Sequence, residues 1–210
     1  MTVNKQILMK TRPVGMPILE NFEIVESNIP DARHGEVLIK ILWLSLDPYM
    51  RGRMSKAKSY AASLNEGDLI VGGAVGKVIQ SQTPEYKEGD IVEGFTLGWQ
   101  EYAVATPASI RKINPDLAPI QTAVGVLGMP GMTAFFGLLN IGKPIPGDTV
   151  VVSAASGAVG QLVGQIAKIG GCHVVGIAGG KEKCDYLTNI LNFDAAIDYK
   201  NENVDEMLDK

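Results

Sequence analysis

Short runs of alternating or continuous β-branched and apolar residues dominate the first half of the chain. The segments "FEIVESNIP" and "GEVLIKILWLSLDP" have this character, and turns separate them from later runs of the same kind. Alternation with period two, and unbroken apolar runs of this length, are typical of β-strands. Short strands at this spacing predict a partly closed all-β unit from Glu20 to about Ala105.

Two Glu-Gly-Asp triplets, at residues 66–68 and 88–90, each precede a run that is rich in valine and isoleucine. Glycine permits the tight turn, and aspartate can accept a hydrogen bond from its own backbone. Each triplet is therefore expected to start a strand.

The pattern changes near Asn114, where helical segments begin. Residues 117–142 predict two helices separated at Pro130-Gly131. Next come a strand, a small-residue turn and a helix ended by Gly170-Gly171. Strand-helix-strand-helix-strand predicts a parallel sheet with right-handed crossovers. The remaining predicted elements are a strand (His173–Ala178), a helix (Lys181–Leu191) and a strand (Ala195–Tyr199).

These patterns predict an α/β chain with two domains. A β-rich domain is expected over residues 1–118, and part of a doubly wound nucleotide-binding sheet over residues 119–210. A doubly wound domain usually has about six strands, whereas only three are predicted here. The final segment, "NVDEMLDK", has the character of a further crossover helix. We expect the chain, which ends at Lys210, to be a shortened version of a longer protein.

Composition and charge narrow the possible functions. The 210 residues are 46% hydrophobic and 20% charged, with a net charge of −4, which argues against an electrostatic hold on nucleic acid or anionic lipid. The uncharged stretches 119–142 and 149–167 are interpreted as buried segments rather than membrane spans. Cys172 and Cys184 form no CxxC pair, and the polar start lacks a signal-peptide core. The expected location is the cytoplasm.

The turn "AASGAVG" follows the strand "TVVV" and precedes an amphipathic helix. Aligned with the GxGxxG fingerprint of dinucleotide-binding turns, it places Ala155, Gly157 and Gly160 in the three glycine positions. Alanine is tolerable in the first position if its φ stays negative. A side chain at Gly157 would block a pyrophosphate, and Gly160 lets the helix lie close to the strand. A tight turn without a ligand is the alternative.

An acid that binds the adenosine ribose should follow this turn by about 20 residues, at the end of the second strand. The chain has Gly179-Gly180 at that position, followed by Lys181 and Lys183. Glycines leave room for a 2′-phosphate and a lysine can neutralise it, so the missing acid favours NADPH over NADH. The alternative is that both lysines form an ordinary solvated helix start.

Four segments together resemble the zinc-independent medium-chain dehydrogenases/reductases. They are "LSLDPYMRGRM", "LGMPGMTAFFGLL", "AASGAVGQLVGQIAK" and "VVGIAGGKEKC". The resemblance is closest to the leukotriene hydroxydehydrogenase/prostaglandin reductase branch and, within it, to the bacterial NADPH-dependent curcumin reductases. It implies a GroES-like β-domain followed by a Rossmann domain, usually as a homodimer. The implied activity is NADPH-dependent reduction of the carbon-carbon double bond of apolar α,β-unsaturated ketones and aldehydes.

The resemblance also implies roles for individual residues. Gly180 replaces the serine usual in the family, which removes one possible hydrogen bond to the 2′-phosphate. The remaining Rossmann strands and part of the substrate pocket of the family would lie beyond this chain. Residues implied at the pyrophosphate, the 2′-phosphate and the nicotinamide are, respectively, Gly157, Ala158, Val159 and Gly160; Lys183 and Tyr199; and Met129 and Thr133.

Tyr49 is the candidate proton donor. In "SLDPYMRGR", Asp47, Tyr49 and Arg51 alternate, which predicts that they share one side of an extended segment. A phenol with a pKa near 10 suits a donor to the enolate oxygen, or a relay of the proton that the α-carbon takes. In the alternative, Asp47 and Arg51 pair structurally and Tyr49 merely packs. No metal site is expected, because the histidines are only His34 and His173 and no cysteine precedes Cys172.

Two further interpretations of the whole chain remain open at this point. One is quinone reduction on the same scaffold. The other is a non-catalytic fragment that binds nucleotide weakly or not at all.

Overall fold

The computed structural model describes residues 3–209 of the chain. It forms two compact units, Met1–Val124 and Gly125–Lys210. The predicted assignment of residues 1–118 to a substrate domain and 119–210 to a cofactor domain stays a prediction. The expected shortening at Lys210 falls on a position outside the described residues.

The first unit is built mainly of antiparallel strands. One sheet pairs β1 with β2, and a five-stranded sheet has the order β6-β3-β4-β5-β7. Short 3-10 helices occupy Leu19–Asn21, Pro107–Ser109 and Ile120–Val124. The other elements are β1 (Val3–Met9), β2 (Phe22–Asn28), β3 (Val37–Leu44), α1 (Pro48–Arg53), β4 (Ala74–Ser81), β5 (Ile91–Gly94), β6 (Tyr102–Ala105) and β7 (Arg111–Lys112).

The main core of this unit lies against the five-stranded sheet. Val37, Ile39, Val78 and Val92 are fully buried there and belong to one hydrophobic cluster. β-Branched side chains suit this setting because they pack well on a pleated, half-buried surface. The strands expected in "FEIVESNIP" and "GEVLIKILWLSLDP" are confirmed as β2 and β3.

The two Glu-Gly-Asp triplets form the same turn but lead to different structures. The carboxylates of Asp68 and Asp90 accept hydrogen bonds from backbone N–H groups three residues earlier, at 2.7 and 2.9 Å. The second triplet leads directly into β5 at Ile91, as predicted. The prediction for the first is wrong: Leu69 makes only an isolated bridge, and the regular strand β4 starts at Ala74.

The second unit contains a parallel sheet in the order β10-β9-β8. Consecutive parallel strands are joined by helices, which confirms the expected part of a Rossmann sheet. A π-helical segment, Phe136–Gly142, extends the first helix of this unit. The elements are α2 (Met129–Phe135), β8 (Thr149–Val152), α3 (Gly160–Ile169), β9 (His173–Ala178), α4 (Lys181–Asn189), β10 (Ala195–Asp198) and α5 (Val204–Leu208).

The predicted break at Pro130-Gly131 is wrong. Pro130 lies in the first turn of α2, where its missing N–H costs no helical hydrogen bond. The segment before it forms only the five-residue 3-10 helix, which packs on the sheet of the first unit. The helix after β9 ends at Asn189 rather than Leu191.

The ends of the sheet elements follow the sequence closely elsewhere. The strand predicted at His173–Ala178 is confirmed, and α3 ends before Gly170-Gly171, where Gly171 has a φ of 80°. The third strand ends at Asp198, one residue earlier than predicted. Val152, Val174 and Leu187 are buried in the hydrophobic core of this unit. The carboxyl ends of the three parallel strands consequently share one edge, where ligands bind in open α/β sheets.

Candidate functional site

The turn after β8 has the geometry expected of a phosphate-binding turn. Ala155 is buried, its φ is not positive, and its N–H donates to the carbonyl oxygen of Ile177 in β9 at 3.0 Å. The condition for alanine in the first glycine position is therefore met. The left-handed residue is its neighbour Ala154, with a φ of 47°. The carbonyl of Ala154 accepts from the N–H of Gly157 at 2.9 Å and closes the turn.

The two glycines of the turn have different surroundings. A Cβ on Gly160 would lie 2.4 Å from the carbonyl oxygen of Ala154 and 2.8 Å from the Cα of Ala155. Only glycine fits there, as the fingerprint predicts. A Cβ on Gly157 would meet the same oxygen at 3.1 Å and nothing else within 4 Å, and Gly157 is exposed. Its open side faces a cleft.

The start of α3 offers free donors to that cleft. Within residues 3–209, the N–H groups of Ala158, Val159 and Gly160 donate to no protein acceptor. Such N–H groups at the start of a helix, together with the helix dipole, favour an anion.

The cleft lies at the carboxyl ends of β8 and β9 and has a volume of about 570 Å³. It brings together Gly157, Gly179, Lys183 and Tyr199, four of the residues that the sequence assigned to the cofactor. The phenol of Tyr199 lies against Gly179, because a Cβ on Gly179 would be 2.7 Å from its oxygen. The lining also includes Ala154, Ser156, Ala178, Glu182 and Tyr186.

The two lysines that follow Gly180 are not equivalent. Lys181 donates to both carboxylate oxygens of Asp185, at 2.9 and 2.6 Å, one turn along α4. Lys183 lines the cleft, and its side-chain ammonium group forms no hydrogen bond or ion pair with the described residues. An uncompensated cation beside free main-chain donors can bind a phosphate.

Met129 and Thr133 are not among the residues that line this cleft. Both belong to α2, and the Thr133 hydroxyl donates to the Met129 carbonyl at 2.7 Å. This is the back-bond typical of threonine inside a helix. Their assignment to the nicotinamide end stays a prediction.

Sequence reasoning missed two residues that make specific contacts, one in the lining of the cleft and one next to Tyr199 in the chain. Tyr186 lines it and donates from its hydroxyl to Oε1 of Gln161 in α3 at 3.0 Å. Asp198, the last residue of β10, accepts a hydrogen bond from the N–H of Gly180 at 2.7 Å. Its signal in the sequence is an acid at the carboxyl end of a parallel strand, which is a common place for functional side chains.

Tyr49 lies in the first unit, in a helix rather than an extended segment. Residues 48–53 form α1, so the prediction that Asp47, Tyr49 and Arg51 share one side of a strand is wrong. Asp47 precedes the helix and Pro48 begins it, which is a combination that favours a helix start. In a helix, Tyr49 shares its face with Arg53, four residues on.

Arg51 has a structural role, but not the predicted one. Its guanidinium donates to the carbonyl oxygens of Pro13 and Gly15 at 3.0 to 3.1 Å. No ion pair joins it to Asp47 within the described residues, so the alternative in which those two residues pair is also wrong.

The surroundings of Tyr49 keep its phenol protonated. Burial raises the pKa of Tyr49 above its ordinary value of 10.0, and the charge of Asp47 raises it further. The charge of Arg53 and a hydrogen bond with the Gly73 backbone lower this pKa, but the net shift is upward. A neutral phenol can donate a hydrogen bond or a proton and is a poor base at neutral pH.

Comparison with known proteins identifies the family. Residues 5–113 match the family model described as the N-terminal domain of oxidoreductase. The chain belongs to the zinc-independent medium-chain reductases. It is 44% identical to the NADPH-dependent curcumin reductase of Escherichia coli over 207 residues, covering 99% of this chain and 60% of the relative. It is 46% identical to the NADP-dependent 2-alkenal reductase of Nicotiana tabacum over 205 residues, covering 95% and 59%.

A solved structure supports the same assignment. CurA from Vibrio vulnificus, in complex with NADPH, superposes with a TM-score of 0.92 and 47% identity, covering 97% of this chain and 60% of CurA. The resemblance inferred from the four sequence segments is thus confirmed. The chain spans about 60% of the length of the relatives that it matches.

No group of three or more histidine, cysteine, aspartate or glutamate side chains in residues 3–209 could hold a metal ion. Within the same range, no helix is long and apolar enough to cross a bilayer. Both cysteines are free thiols, and Cys172 is buried in the core of the second unit.

Proposed function

We propose that the protein is an NADPH-dependent reductase of the carbon-carbon double bond in α,β-unsaturated ketones and aldehydes. One observation carries the proposal: the cleft at the carboxyl ends of β8 and β9 combines an open glycine, Gly157, with Lys183, whose ammonium group has no ion-pair partner in residues 3–209. The names of the relatives, a curcumin reductase and a 2-alkenal reductase, indicate the substrate class.

The chemistry of the cleft fits the phosphate groups of NADPH. Gly157 presents bare main chain, and the N–H groups of Ala158, Val159 and Gly160 have no protein acceptor among the described residues, so this turn would hold the pyrophosphate. Lys183 supplies the positive charge that a 2′-phosphate requires, and no acid stands at Gly179-Gly180 to repel it.

NADPH supplies, when bound, the hydride that adds to the β-carbon of the substrate. The chain must then stabilise the enolate oxygen and allow a proton to reach the α-carbon. Tyr49 can do the former by donating a hydrogen bond from its neutral phenol, and can relay a solvent proton for the latter. Hydride and proton together account for both hydrogens of the saturated product.

We extend the proposal to the context of the protein. Its relatives act on small molecules, and the net charge of −4 gives no electrostatic reason for binding nucleic acid or anionic membranes. Free thiols on Cys172 and Cys184 suit the reducing cytoplasm. We propose a homodimer for the full-length protein, as is usual in this family.

Two measurements test the proposed function. NADPH and NADH are titrated into the protein and followed by nicotinamide fluorescence; tighter binding of NADPH, by at least about tenfold, is expected from a charge-assisted contact to the 2′-phosphate. NADPH oxidation is then measured with a panel of enones and a panel of simple quinones. Turnover of enones supports the proposal. Turnover of quinones alone would support the quinone reductase alternative, and absence of binding would support a non-catalytic fragment.

A further inference from the structure

Asp198, the last residue of β10, is buried at the carboxyl end of the parallel sheet. It is 9% exposed, and its hydrogen-bond partners among the described residues lie within the second unit. Oδ1 accepts from the N–H groups of Gly180 and Lys200, at 2.7 and 3.1 Å, and Oδ2 accepts from Nδ2 of Asn201 at 2.6 Å. Three donors therefore hold one carboxylate at the edge of the sheet that carries the cleft.

Gly180 connects this carboxylate to α4. Its backbone conformation, with φ of 100° and ψ of 148°, is strained for any residue with a side chain. Its N–H is fixed by Asp198, while its carbonyl accepts from the N–H groups of Lys183 and Cys184, at 3.1 and 3.2 Å. One peptide segment thus joins Asp198 to the first turn of the helix that carries Lys183.

Gly179, immediately before, is fixed from the other side. It packs against the phenol of Tyr199, and the N–H of Tyr199 donates to the Ala178 carbonyl at 3.1 Å. The wall of the cleft formed by Gly179, Lys183 and Tyr199 consequently depends on the conformation of the Gly179-Gly180 turn.

We propose that Asp198 is a positioning residue for cofactor choice: by holding the Gly180 N–H, it orients the turn and the first turn of α4 so that Lys183 faces the 2′-phosphate. The inference rests on the proposed function. This role differs from that of the ribose-binding acid in NAD-binding sheets, because Asp198 lies on the third strand and its carboxylate accepts hydrogen bonds from the protein itself. Both of its oxygens are already occupied, so they do not compete for the ribose hydroxyls.

A carboxylate so close to a phosphate site is unfavourable unless its charge is compensated. Here three N–H donors and the nearby charge of Lys200 stabilise the anion and hold the pKa of Asp198 below its ordinary value of 3.8. The same bonds rigidify the turn. Lys183 is then presented to the ligand without the entropy cost of ordering a mobile loop.

The test uses adenosine 2′,5′-bisphosphate and AMP, which differ only in the 2′-phosphate, titrated into the protein by calorimetry. The preference for the 2′-phosphate is the dissociation constant of 5′-AMP divided by that of the bisphosphate. Asp198→Ala frees the Gly180 N–H, and this ratio is expected to fall by about tenfold, the scale of a lost charge-assisted contact. The Asp198→Asn/Asn201→Asp exchange keeps an acceptor for Gly180 and a donor-acceptor pair between residues 198 and 201. This exchange is expected to restore the ratio to within about threefold.

Asp194 provides the matched control. It also accepts a main-chain hydrogen bond, from Val174 at 2.6 Å, but it precedes β10, whereas Asp198 ends that strand beside the Gly179-Gly180 turn. Asp194→Asn should lower the melting temperature and leave the ratio of dissociation constants unchanged. Should Asp198→Ala fail to fold, Asp198→Ser takes its place with the same expectation.

The outcomes separate the two claims. A wild-type protein that binds both probes equally contradicts the proposed NADPH specificity. A wild-type protein that prefers the bisphosphate, with an unchanged preference in the alanine or serine variant, contradicts only the positioning role of Asp198. An equal loss of preference in the Asp194 and Asp198 variants also overturns it, because the effect would then be one of general stability.

Discussion

Lys181 and Asp185 form an ion pair across one turn of α4, with Nζ 2.9 and 2.6 Å from the two carboxylate oxygens. Lys183 has no such partner among the described residues and lines the cleft. The residues after Gly180 include two lysines that could each neutralise a phosphate, and the family resemblance implies Lys183 for this role. The structure distinguishes the two lysines, since Lys181 is paired with Asp185 whereas the charge of Lys183 has no counter-charge in ion-pair contact within the described part of the chain.

The difference between the lysines predicts different effects of their removal. Lys183→Ala should weaken NADPH binding by about tenfold and leave NADH binding nearly unchanged, because only the former carries the 2′-phosphate. Lys181→Ala, the matched control, should change NADPH affinity by less than about twofold, since an exposed ion pair of this kind contributes little. Nicotinamide fluorescence titrations measure both. Equal losses in the two variants would contradict the assignment of the phosphate to Lys183.

The two glycines of the turn after β8 should respond differently to a methyl group. Gly160→Ala places a Cβ 2.4 Å from the Ala154 carbonyl oxygen, so unfolding should become easier by about 1–3 kcal/mol, as in overpacked cores. Gly157→Ala meets that oxygen at 3.1 Å and otherwise faces the cleft, so its effect on stability should stay within about 0.5 kcal/mol.

NADPH affinity should depend directly on Gly157, even though its replacement hardly affects stability. Gly157→Ala puts its methyl group where the main chain must approach the pyrophosphate, and NADPH affinity should drop despite a stable fold. Urea unfolding, followed by far-UV circular dichroism, and NADPH titration on the same samples give both quantities. A Gly157→Ala protein that is stable and binds NADPH as tightly as the wild type would place the pyrophosphate elsewhere.

The pKa of Tyr49 is expected to move in opposite directions when its two charged neighbours are neutralised. Arg53→Gln removes a charge that lowers the pKa, so the phenol should ionise at a higher pH than in the wild type. Asp47→Asn removes a charge that raises it, so ionisation should occur at a lower pH. Asparagine also serves well before a helix, which protects the start of α1. Titration of a ¹³C-labelled tyrosine ring by NMR gives the shifts, and two shifts of the same sign would contradict this electrostatic account.

Catalysis supplies a further check on Tyr49. Tyr49→Phe keeps the ring and removes the hydroxyl, so enone reduction should slow by about 10²- to 10⁴-fold, the usual contribution of a positioned proton donor. NADPH affinity should stay near the wild-type value. A variant with unchanged turnover would leave Tyr49 as a packing residue.

Most of the second unit could be predicted from the sequence because its signals are local. The strand His173–Ala178 and the end of α3 at Gly170-Gly171 depend on a short β-branched run and on glycines at a helix end. The close packing at Gly160 could be predicted for a related reason: the fingerprint indicates a close approach between residues that are only a few positions apart.

The elements that were missed depend on distant partners. Strand β1 is too polar to be recognised, since Asn4 is buried only because its side-chain amide exchanges two hydrogen bonds with the main chain of Tyr102. The hydrogen bond of Asp198 likewise depends on a distant residue, because its donor, Gly180, follows a different strand. The helix at Tyr49 was missed for a different reason. The alternation of polar residues from Asp47 to Arg51 predicts an extended segment, but Asp47 followed by Pro48 is a stronger local signal and predicts the helix start that the structure shows.

Asp194 makes the second unit sensitive to acid. Its carboxylate accepts from Nζ of Lys168, at 2.7 and 2.9 Å, and from the N–H of Val174 at 2.6 Å. The Lys168 and Val174 bonds, with a smaller contribution from His173, lower the pKa of Asp194 below its ordinary value of 3.8. A lowered carboxyl pKa stabilises the fold fully above the unfolded value, and this stabilisation is lost as the pH falls through the folded value.

The Asp194→Asn variant should therefore be less stable than the wild type by about 1–2 kcal/mol at pH 7, the scale of a hydrogen bond to a charged group. The difference should shrink as the pH falls below 3.8, because protonation removes the same anion from the wild type. Lys168→Met should reproduce part of the loss at pH 7, since it leaves the bond from Val174 intact. Urea unfolding at pH 7, 5 and 3, followed by circular dichroism, measures the three proteins. If the difference in unfolding free energy between the wild type and Asp194→Asn is the same at all three pH values, the charge of the carboxylate does not contribute to stability. The destabilisation by asparagine would then be an effect of packing alone.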